Sequence, residues 1–218
     1  MSDPAGPGLI HIDLFTTLDG VAQAPGGPDE DREGGFRFGG WQAPLFDDLV
    51  GQQIYQGMEG LDALLLGRRT YDIFAGFWPH QESGPDGGVA RLFNAVPKYV
   101  VSRQALDLEW AGSTLLSGDL ASQVRQLRER HRHVHVIGSV DLAHTLLAEQ
   151  LFDELTLWVY PIVLGEGKKV FPDGSAPRNL RLLAPAVSSP QGAVLLRYGP
   201  AEGEPATGDM SSDDRASD

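Results

Sequence analysis

Two adjacent arginines and a threonine, Arg68, Arg69 and Thr70, follow a short apolar run that ends at Gly67. The run at 63–66 is typical of a buried strand, and the residues after Gly67 read as the start of a helix. A helix N-terminus offers free backbone N–H groups and the positive end of a dipole. Guanidinium groups fork onto phosphate oxygens, and a threonine can cap the helix, so this spacing predicts an anion site. The alternative is a pair of solvated arginines at the rim of the domain.

Two further strand ends carry polar residues suited to anions. The stretch KYVVSR ends in Ser102 and Arg103, which place a hydroxyl beside a cation. In VIGSVDL, Gly138 lets backbone approach a ligand, and Ser139 stands where it can cap the next predicted helix. Taken alone, each is also compatible with an ordinary polar strand end. Together the three turns indicate one elongated anion with separated phosphates, a description that a dinucleotide fits.

Several other motifs are missing from the sequence. It has no G-x-G-x-x-G fingerprint and no G-x-S-x-G elbow, and GEGKK at 165–169 lacks the earlier glycine and the Ser or Thr of a P-loop. His131, His133 and His135 alternate as strand residues do, so a metal is conceivable. No nearby carboxylate completes a ligand set, so we expect no metal and interpret HRHVH as the polar start of a strand.

Composition and charge restrict the class of protein. A formal net charge of -13 at pH 7 argues against general nucleic-acid binding, which needs a basic surface. The count of 0 cysteines excludes disulfides and thiolate chemistry, and fits a reducing compartment. The sequence has neither an apolar run of transmembrane length nor a signal-peptide pattern in MSDPAGPG. We therefore expect a cytoplasmic protein without nucleic-acid or membrane partners.

A sheet with several strand ends at one edge is needed to bring these turns together. Apolar strand patterns alternate with helical ones, which predicts an α/β fold with three layers, α/β/α, around a mostly parallel central sheet. The stretches NLRLLAPAVS and GAVLLRYG predict an antiparallel C-terminal strand pair. We expect a single domain over 9–199, a flexible N-terminus at 1–8 and an acidic disordered tail at 200–218. The loop at 16–41, rich in Gly, Pro and acids, is typical of functional or mobile segments.

A series of stretches carries a resemblance to a known family. They are TLDGV, GRRTYD, PKYVVSR, VIGSVDLAHTLL, LFDELTLWVYPIVLGEGKKVF and VLLRYG, in this order. Over residues 9–199 the chain resembles the dihydrofolate reductase-like family. More narrowly, it is similar to the bacterial branch related to the C-terminal reductase domain of riboflavin biosynthesis proteins.

The resemblance implies a reductase that uses NADPH. It assigns the pyrophosphate and the adenosine 2′-phosphate to Arg68, Arg69 and Thr70, which follow Gly67, and the 2′-phosphate and adenine side to Ser102 and Arg103. It assigns a further stretch of the pyrophosphate to Gly138, Ser139, Val140 and Leu142. Asp19 and Gly20 would begin the loop that folds over the nicotinamide.

The chain departs from the family pattern where a substrate would bind. Gly51 lies near the place where dihydrofolate reductases keep an acidic residue on the first helix. Ile137 stands where riboflavin reductases usually have a glutamate, and Val21 and Ala22 follow LDG where those enzymes tend to have a lysine. These departures weigh against the riboflavin substrate.

Asp48 is therefore our first prediction for the proton donor, Asp19 the second and an ordered water the third. The alternative for Asp48 is an acidic first turn that complements the helix dipole, and the alternative for Asp19 is formation of the turn. Trp41 is predicted either to wall the substrate pocket or to anchor the loop in the core.

The predicted function is an NADPH-dependent reductase that transfers a hydride to a C=N or C=O of a small, pterin- or pyrimidine-like substrate. The alternative is a non-catalytic nucleotide- or flavin-binding module on the same fold. By analogy with the family we also expect a homodimer, formed through the apolar strand at 155–164 and the closing strands.

Overall fold

A computed structural model of the chain describes residues 6–209. Within this range the strands are β1 (Leu9–Thr17), β2 (Ala63–Gly67), β3 (Lys98–Val101), β4 (Ser113–Leu116), β5 (His133–Ile137), β6 (Glu154–Tyr160), β7 (Leu180–Leu182), β8 (Val187–Ser188) and β9 (Val194–Pro200). The helices are α1 (Asp48–Gly57), α2 (Arg68–Phe77), α3 (Gly87–Ala95), α4 (Leu120–Arg130) and α5 (Val140–Ala148).

All of these strands belong to one sheet, in the order β4-β3-β2-β5-β1-β6-β9-β7, with β8 also paired to β9. Strands β1 to β6 pair in parallel, and β9 pairs antiparallel with β6, β7 and β8. This arrangement confirms the predicted α/β fold with a mostly parallel sheet and an antiparallel C-terminal end. It also brings the carboxyl ends of β2, β3 and β5 to one edge of the sheet.

Helices cover both faces of the sheet, and buried apolar residues of the strands pack against them on each face. Ile10 and Ile12 of β1 are fully buried against apolar residues of α4 and α5. Helices α1, α2 and α3 contribute to the two clusters on the opposite face, through residues such as Val50, Tyr71 and Phe93. Burial of side chains of this size stabilises the fold by roughly 1.5–3 kcal/mol each.

Two elements are shorter in the structure than the sequence pattern indicates. The pattern PLFDDLVGQQIYQGME at 44–59 is typical of one helix, but the structure has a 3-10 turn, Ala43–Leu45, followed by α1, because Asp47 is the N-cap and its Oδ1 accepts the Val50 N–H at 2.9 Å. Strand β6 ends at Tyr160, directly before Pro161, which has no N–H for the ladder.

The two ends of the chain are described in part. Strand β9 includes Pro200, and the Asn179 side chain donates to the Gly203 carbonyl at 3.3 Å. Residues 1–5 and 210–218, which carry most of the predicted flexible N-terminus and part of the predicted tail, lie outside the described residues. The single-domain boundaries stay a prediction. The helices described in residues 6–209 include none with the length and apolar character needed to cross a bilayer.

Candidate functional site

The N-termini of α2 and α5 meet at the carboxyl ends of β2 and β5. The Gly67 N–H, at the N-cap of α2, donates to Ser139 Oγ at 3.0 Å. In return the Ser139 N–H, at the N-cap of α5, donates to Thr70 Oγ1 at 3.0 Å. These reciprocal hydrogen bonds, which we call the 67–139 clamp, fix the two helix ends against each other.

Left-handed backbone makes the turn into α5. Gly138 has φ 65° and Ser139 has φ 52°. Such a conformation costs a non-glycine residue free energy, and the hydrogen bonds of the clamp help to hold Ser139 in it. The predicted capping roles of Thr70 and Ser139 are wrong in detail, because each side chain bonds to the other turn instead of to its own helix.

The two converging helix ends remain free to receive an anion. Among the described residues, no side chain caps α2 or α5 with a hydrogen bond. The first N–H groups of both helices and the positive ends of both dipoles therefore point to one region. This is the arrangement that binds phosphate in proteins, so the residues present fit a phosphorylated coenzyme.

An open cleft of about 1990 Å³ runs along this edge of the sheet. It is lined by every predicted coenzyme-binding residue except Gly20: Gly67, Arg68, Arg69, Thr70, Ser102, Arg103, Gly138, Ser139, Val140 and Leu142. The structure therefore brings the three predicted strand ends together. Their roles toward a coenzyme stay a prediction.

The cations of the cleft differ in how they are paired. Arg68 Nε lies 2.6 Å from Asp72 Oδ2 on the next turn of α2. Arg69 Nη1 lies 2.6 Å from Asp31 Oδ1 in the long loop. The described residues provide no carboxylate partner for Arg103, which is exposed at the end of β3.

Lys168 is a cation of the cleft that sequence reasoning missed. Its side chain is 22% exposed and lies between loop carboxylates and the first turn of α5. The GEGKK stretch that contains it does not form a P-loop motif, and the family resemblance assigns it no coenzyme-binding role. The signal that would have found it is the opposite charge of PDEDRE in the long loop.

The predicted proton donors do not line the cleft. Asp48 is exposed in the first turn of α1. The Asp19 carboxylate accepts the N–H groups of Leu164 (3.2 Å) and Gly165 (2.7 Å) and the Thr17 hydroxyl. These hydrogen bonds outweigh the effect of burial and lower the pKa of Asp19, so it remains ionised. These positions favour the structural alternatives: Asp48 complements the dipole of α1, and Asp19 stabilises the turn that contains it.

Gly20 and Trp41 also serve the loop. Gly20 has φ 85°, and its carbonyl accepts the Val170 N–H at 2.8 Å. Trp41 is buried at 5% exposure, and its indole N–H donates to the Gln23 carbonyl at 2.8 Å. Of the two predicted alternatives for Trp41, this position favours the loop anchor over the wall of the substrate pocket.

The end of the cleft beside α1 is largely apolar. A cross-strand row of Phe15, Trp158 and Leu195 forms its floor. The Gln42 amide lines the same space and donates to Tyr160 Oη at 2.7 Å. Burial raises the pKa of Tyr160 to about 12, so this hydroxyl stays neutral.

A polar group of residues occupies the same sheet face nearer the strand starts. His135 Nδ1 lies 2.7 Å from Asp13 Oδ2, and the His11 ring stacks on His135 with centroids 4.5 Å apart. Burial, followed by the charge of His135, lowers the pKa of His11 to about 4. His131, which was predicted to alternate with His133 and His135, precedes β5, and its Nε2 pairs with Tyr99 Oη at 2.8 Å. Within residues 6–209, no group of three or more His, Asp and Glu side chains is arranged to hold a metal.

Comparison with known protein families identifies this architecture. The model of the family described as RibD C-terminal domain matches residues 9–191. The chain belongs to the RibD C-terminal domain family. It carries a reductase-like domain of the dihydrofolate reductase type, as the resemblance implied.

Individual relatives are distant. An uncharacterized protein of Bacillus subtilis (strain 168), YyaP, is 26% identical over 196 residues, which cover 87% of this chain and 93% of YyaP. The solved structure of a putative riboflavin biosynthesis protein from Shewanella sp. PV-4 superposes with a TM-score of 0.68 at 20% identity, covering 89% of this chain and 99% of that chain. A pyrimidine reductase-like protein from Corynebacterium diphtheriae gives 0.59 at 15% identity, with 90% and 93% covered. At these identities the solved structures show the fold alone.

We predict that Thr70→Val destabilises the domain through the 67–139 clamp. Valine keeps the shape but leaves the Ser139 N–H without its acceptor, which costs about 1–3 kcal/mol for a part-buried donor. Urea denaturation measures the loss. The matched control, Thr145→Val on the exposed face of α5, should change the free energy of unfolding by less than about 0.5 kcal/mol. Equal losses in the two variants would contradict the role of the clamp.

We predict that His11 makes the domain less stable as the pH falls below 7. The folded pKa is about 4, below the ordinary value near 6.5, so only the unfolded chain takes up this proton between the two values. The free energy of unfolding should fall by about 2 kcal/mol between pH 7 and pH 5 from this group. In His11→Gln that part of the slope should disappear, whereas His80→Gln, at an exposed position, should keep it. Parallel profiles for His11→Gln and the unmodified chain would refute the assignment.

Proposed function

We propose that this protein is an NADPH-dependent reductase acting on a small heterocyclic substrate. The observation that carries the proposal is the meeting of two uncapped helix N-termini with Arg68, Arg69 and Arg103 in one cleft. An acidic chain has little reason to gather these groups unless it binds a strongly anionic ligand. Membership of a reductase-like family supports the choice of a reduced pyridine nucleotide.

The residues of the cleft divide between the phosphates of such a coenzyme. The helix N-termini and Arg69 would hold the pyrophosphate, because backbone N–H groups and a guanidinium fork suit its oxygens. Arg68, Ser102 and Arg103 would hold the adenosine 2′-phosphate, which distinguishes NADPH from NADH. When bound, the coenzyme supplies a hydride for a C=N or C=O group.

The apolar end of the cleft suits a flat, uncharged ring. Phe15, Trp158 and Leu195 offer surface for stacking and exclude water, and the Gln42 amide offers a polar contact for orientation. Ile137 also lines the cleft, where riboflavin reductases usually have a glutamate. A pterin- or pyrimidine-like substrate without a phosphate fits these residues best.

Water is the proton source that the geometry favours. Neither Asp48 nor Asp19 lines the cleft, whereas the cleft is open to solvent. The chain's part in this step would be to hold the substrate ring and leave one route for water. Asp48 and Asp19 as donors remain predictions without positional support.

The second function that the structure favours is a binding module without turnover. The carboxylates that line the cleft on the same sheet face as the Phe15–Trp158–Leu195 floor motivate it, because Asp13 is paired with His135 and Glu154 with Arg197. The loss of NADPH absorbance in the presence of dihydrofolate, pyrimidines or simple quinones separates the two. Reductase activity predicts oxidation with at least one ring class, and tight binding without any oxidation would favour the module.

We predict that Arg68→Ala and Arg103→Ala each weaken NADPH binding far more than NADH binding. The lost charged contact to the 2′-phosphate should cost about 1–3 kcal/mol, and NADH lacks that phosphate. Titration calorimetry with both nucleotides measures the difference. Arg125→Ala, an exposed arginine on α4 outside the cleft, removes the same charge as a control. Equal effects on NADPH and NADH would refute the role in 2′-phosphate binding.

We also propose a homodimer, through the closing strands. Both edges of β6 are paired within the chain, so it cannot extend the sheet to a second copy. Strand β7 lies at the end of the strand order and exposes Leu182 at 49%. Light scattering should give twice the chain mass of 23.5 kDa. Leu182→Asp should give a monomer and Val163→Asp, also at an exposed site, should not; a monomeric unmodified chain would end the proposal.

A further inference from the structure

The long loop places two carboxylates on the cations of the coenzyme cleft. Asp31 Oδ1 and Glu33 Oε1 lie 2.6 Å and 3.1 Å from the Arg69 guanidinium. Asp31 Oδ2 and Glu33 Oε2 also lie 3.4 Å and 2.5 Å from Lys168 Nζ. The same pair of carboxylates therefore bridges two cations that come from elements far apart in sequence.

This contact is built by the loop and not left to exposed side chains. Gln23 is 3% exposed, and its amide donates to the carbonyls of Asp31 (3.3 Å) and Glu33 (3.1 Å). The side-chain oxygen of Gln23, Oε1, accepts the backbone N–H of Lys168 at 3.1 Å. One buried amide thus holds the acidic segment and the lysine segment in register. The Asp31 side chain is 9% exposed.

Electrostatics show that the carboxylates and cations hold each other in their charged forms. Burial alone would raise the pKa of Asp31, but the Glu33 N–H, Arg69 and Lys168 outweigh it and keep the pKa below its usual value. Burial alone would lower the pKa of Lys168, and Glu33, Asp141 and Asp31 outweigh it and keep that pKa high. At neutral pH the network is ionic throughout.

Charge is balanced locally when the loop is in this position. The two cations Arg69 and Lys168 face the two carboxylates Asp31 and Glu33. An incoming diphosphate would therefore meet no net positive charge here. It must take Arg69 and Lys168 from their present partners.

We propose that Asp31 and Glu33 are an internal substitute for the coenzyme's phosphates, and that Lys168 joins Arg69 as a phosphate-binding residue once they are displaced. The proposal rests on the proposed function for the identity of the coenzyme. The loop lowers the affinity of every anion and favours ligands with enough phosphate charge to compete for both cations. A ligand with one weakly charged group gains too little electrostatic free energy to displace Asp31 and Glu33 from the two cations.

The experiment compares Asp31→Asn with the unmodified chain, using NADPH and inorganic pyrophosphate in titration calorimetry. Asparagine keeps the shape and the acceptor for the Glu33 N–H, which lies 3.0 Å from Asp31 Oδ1. We expect both ligands to bind roughly tenfold more tightly, since the buried Asp31 carboxylate no longer competes for Arg69 and Lys168. Glu33→Gln, at a half-exposed site, should give roughly threefold. It also provides the test if Asp31→Asn fails to fold by circular dichroism.

Two controls distinguish local competition from other effects. Asp29→Asn removes the same charge from the same loop, but Asp29 pairs only with Arg32 among the described residues, so affinity should stay unchanged. In an Arg69→Ala background, Asp31→Asn should lose most of its gain, because the cation for which it competes is gone.

Each outcome decides the matter. Unchanged or weaker binding in both Asp31→Asn and Glu33→Gln overturns the proposal, and would mean that the carboxylates hold the loop in the binding conformation. Tightening by Asp29→Asn to the same extent overturns it in favour of a general charge effect. If the unmodified chain binds neither pyridine nucleotide, the proposed function fails. In that case pyrophosphate still tests the loop. Tighter pyrophosphate binding by Asp31→Asn supports the proposal that the loop carboxylates stand in for phosphates, and unchanged pyrophosphate binding overturns it.

Discussion

The hydrogen bonds that join the N-termini of α2 and α5 are the constraint on which the rest of the structure depends. Parallel strands deliver two helices to the same edge, but they do not by themselves set the distance between the helix ends. The 67–139 clamp sets it, because each turn satisfies a backbone N–H of the other with a hydroxyl. The side chains that complete the clamp leave the other helix N–H groups free, so one feature produces both rigidity and an anion site.

Opposite charge then shapes the surroundings of this site. A chain with a net charge of -13 would repel a phosphorylated coenzyme if its acidic residues were spread evenly. The cleft gathers arginines and Lys168 at the helix ends, and the long loop brings Asp31 and Glu33 to cover part of them. The acidic loop is thus an ordered part of the site, held by Gln23 and Trp41.

Much of the fold and half of the site could be predicted from the sequence, for identifiable reasons. Alternating strand and helix patterns fix a parallel sheet, and parallel strands place their carboxyl ends together, so GRRT, SR and GS had to meet. Lys168 could not be found in this way, because it reaches the cleft through a turn after β6 without a periodic pattern. Asp48 fails as a lining residue because Asp47 caps α1, and the register of the helix follows from that cap.

The substrate end shows the same limit. The choice between wall and anchor for Trp41 depended on one hydrogen bond to Gln23, 18 residues away, which no local pattern encodes. The floor of Phe15, Trp158 and Leu195 comes from three strands, two of which follow the first by more than half the chain. Cross-strand register of this kind depends on the whole sheet and not on any single stretch.

A crystal structure of the chain with NADPH tests the central claim most directly. The account predicts the pyrophosphate between the N-termini of α2 and α5, within hydrogen-bond distance of their free N–H groups, and the 2′-phosphate beside Arg68 and Arg103. A coenzyme bound elsewhere, or crystals that take up none at saturating concentration, would contradict it.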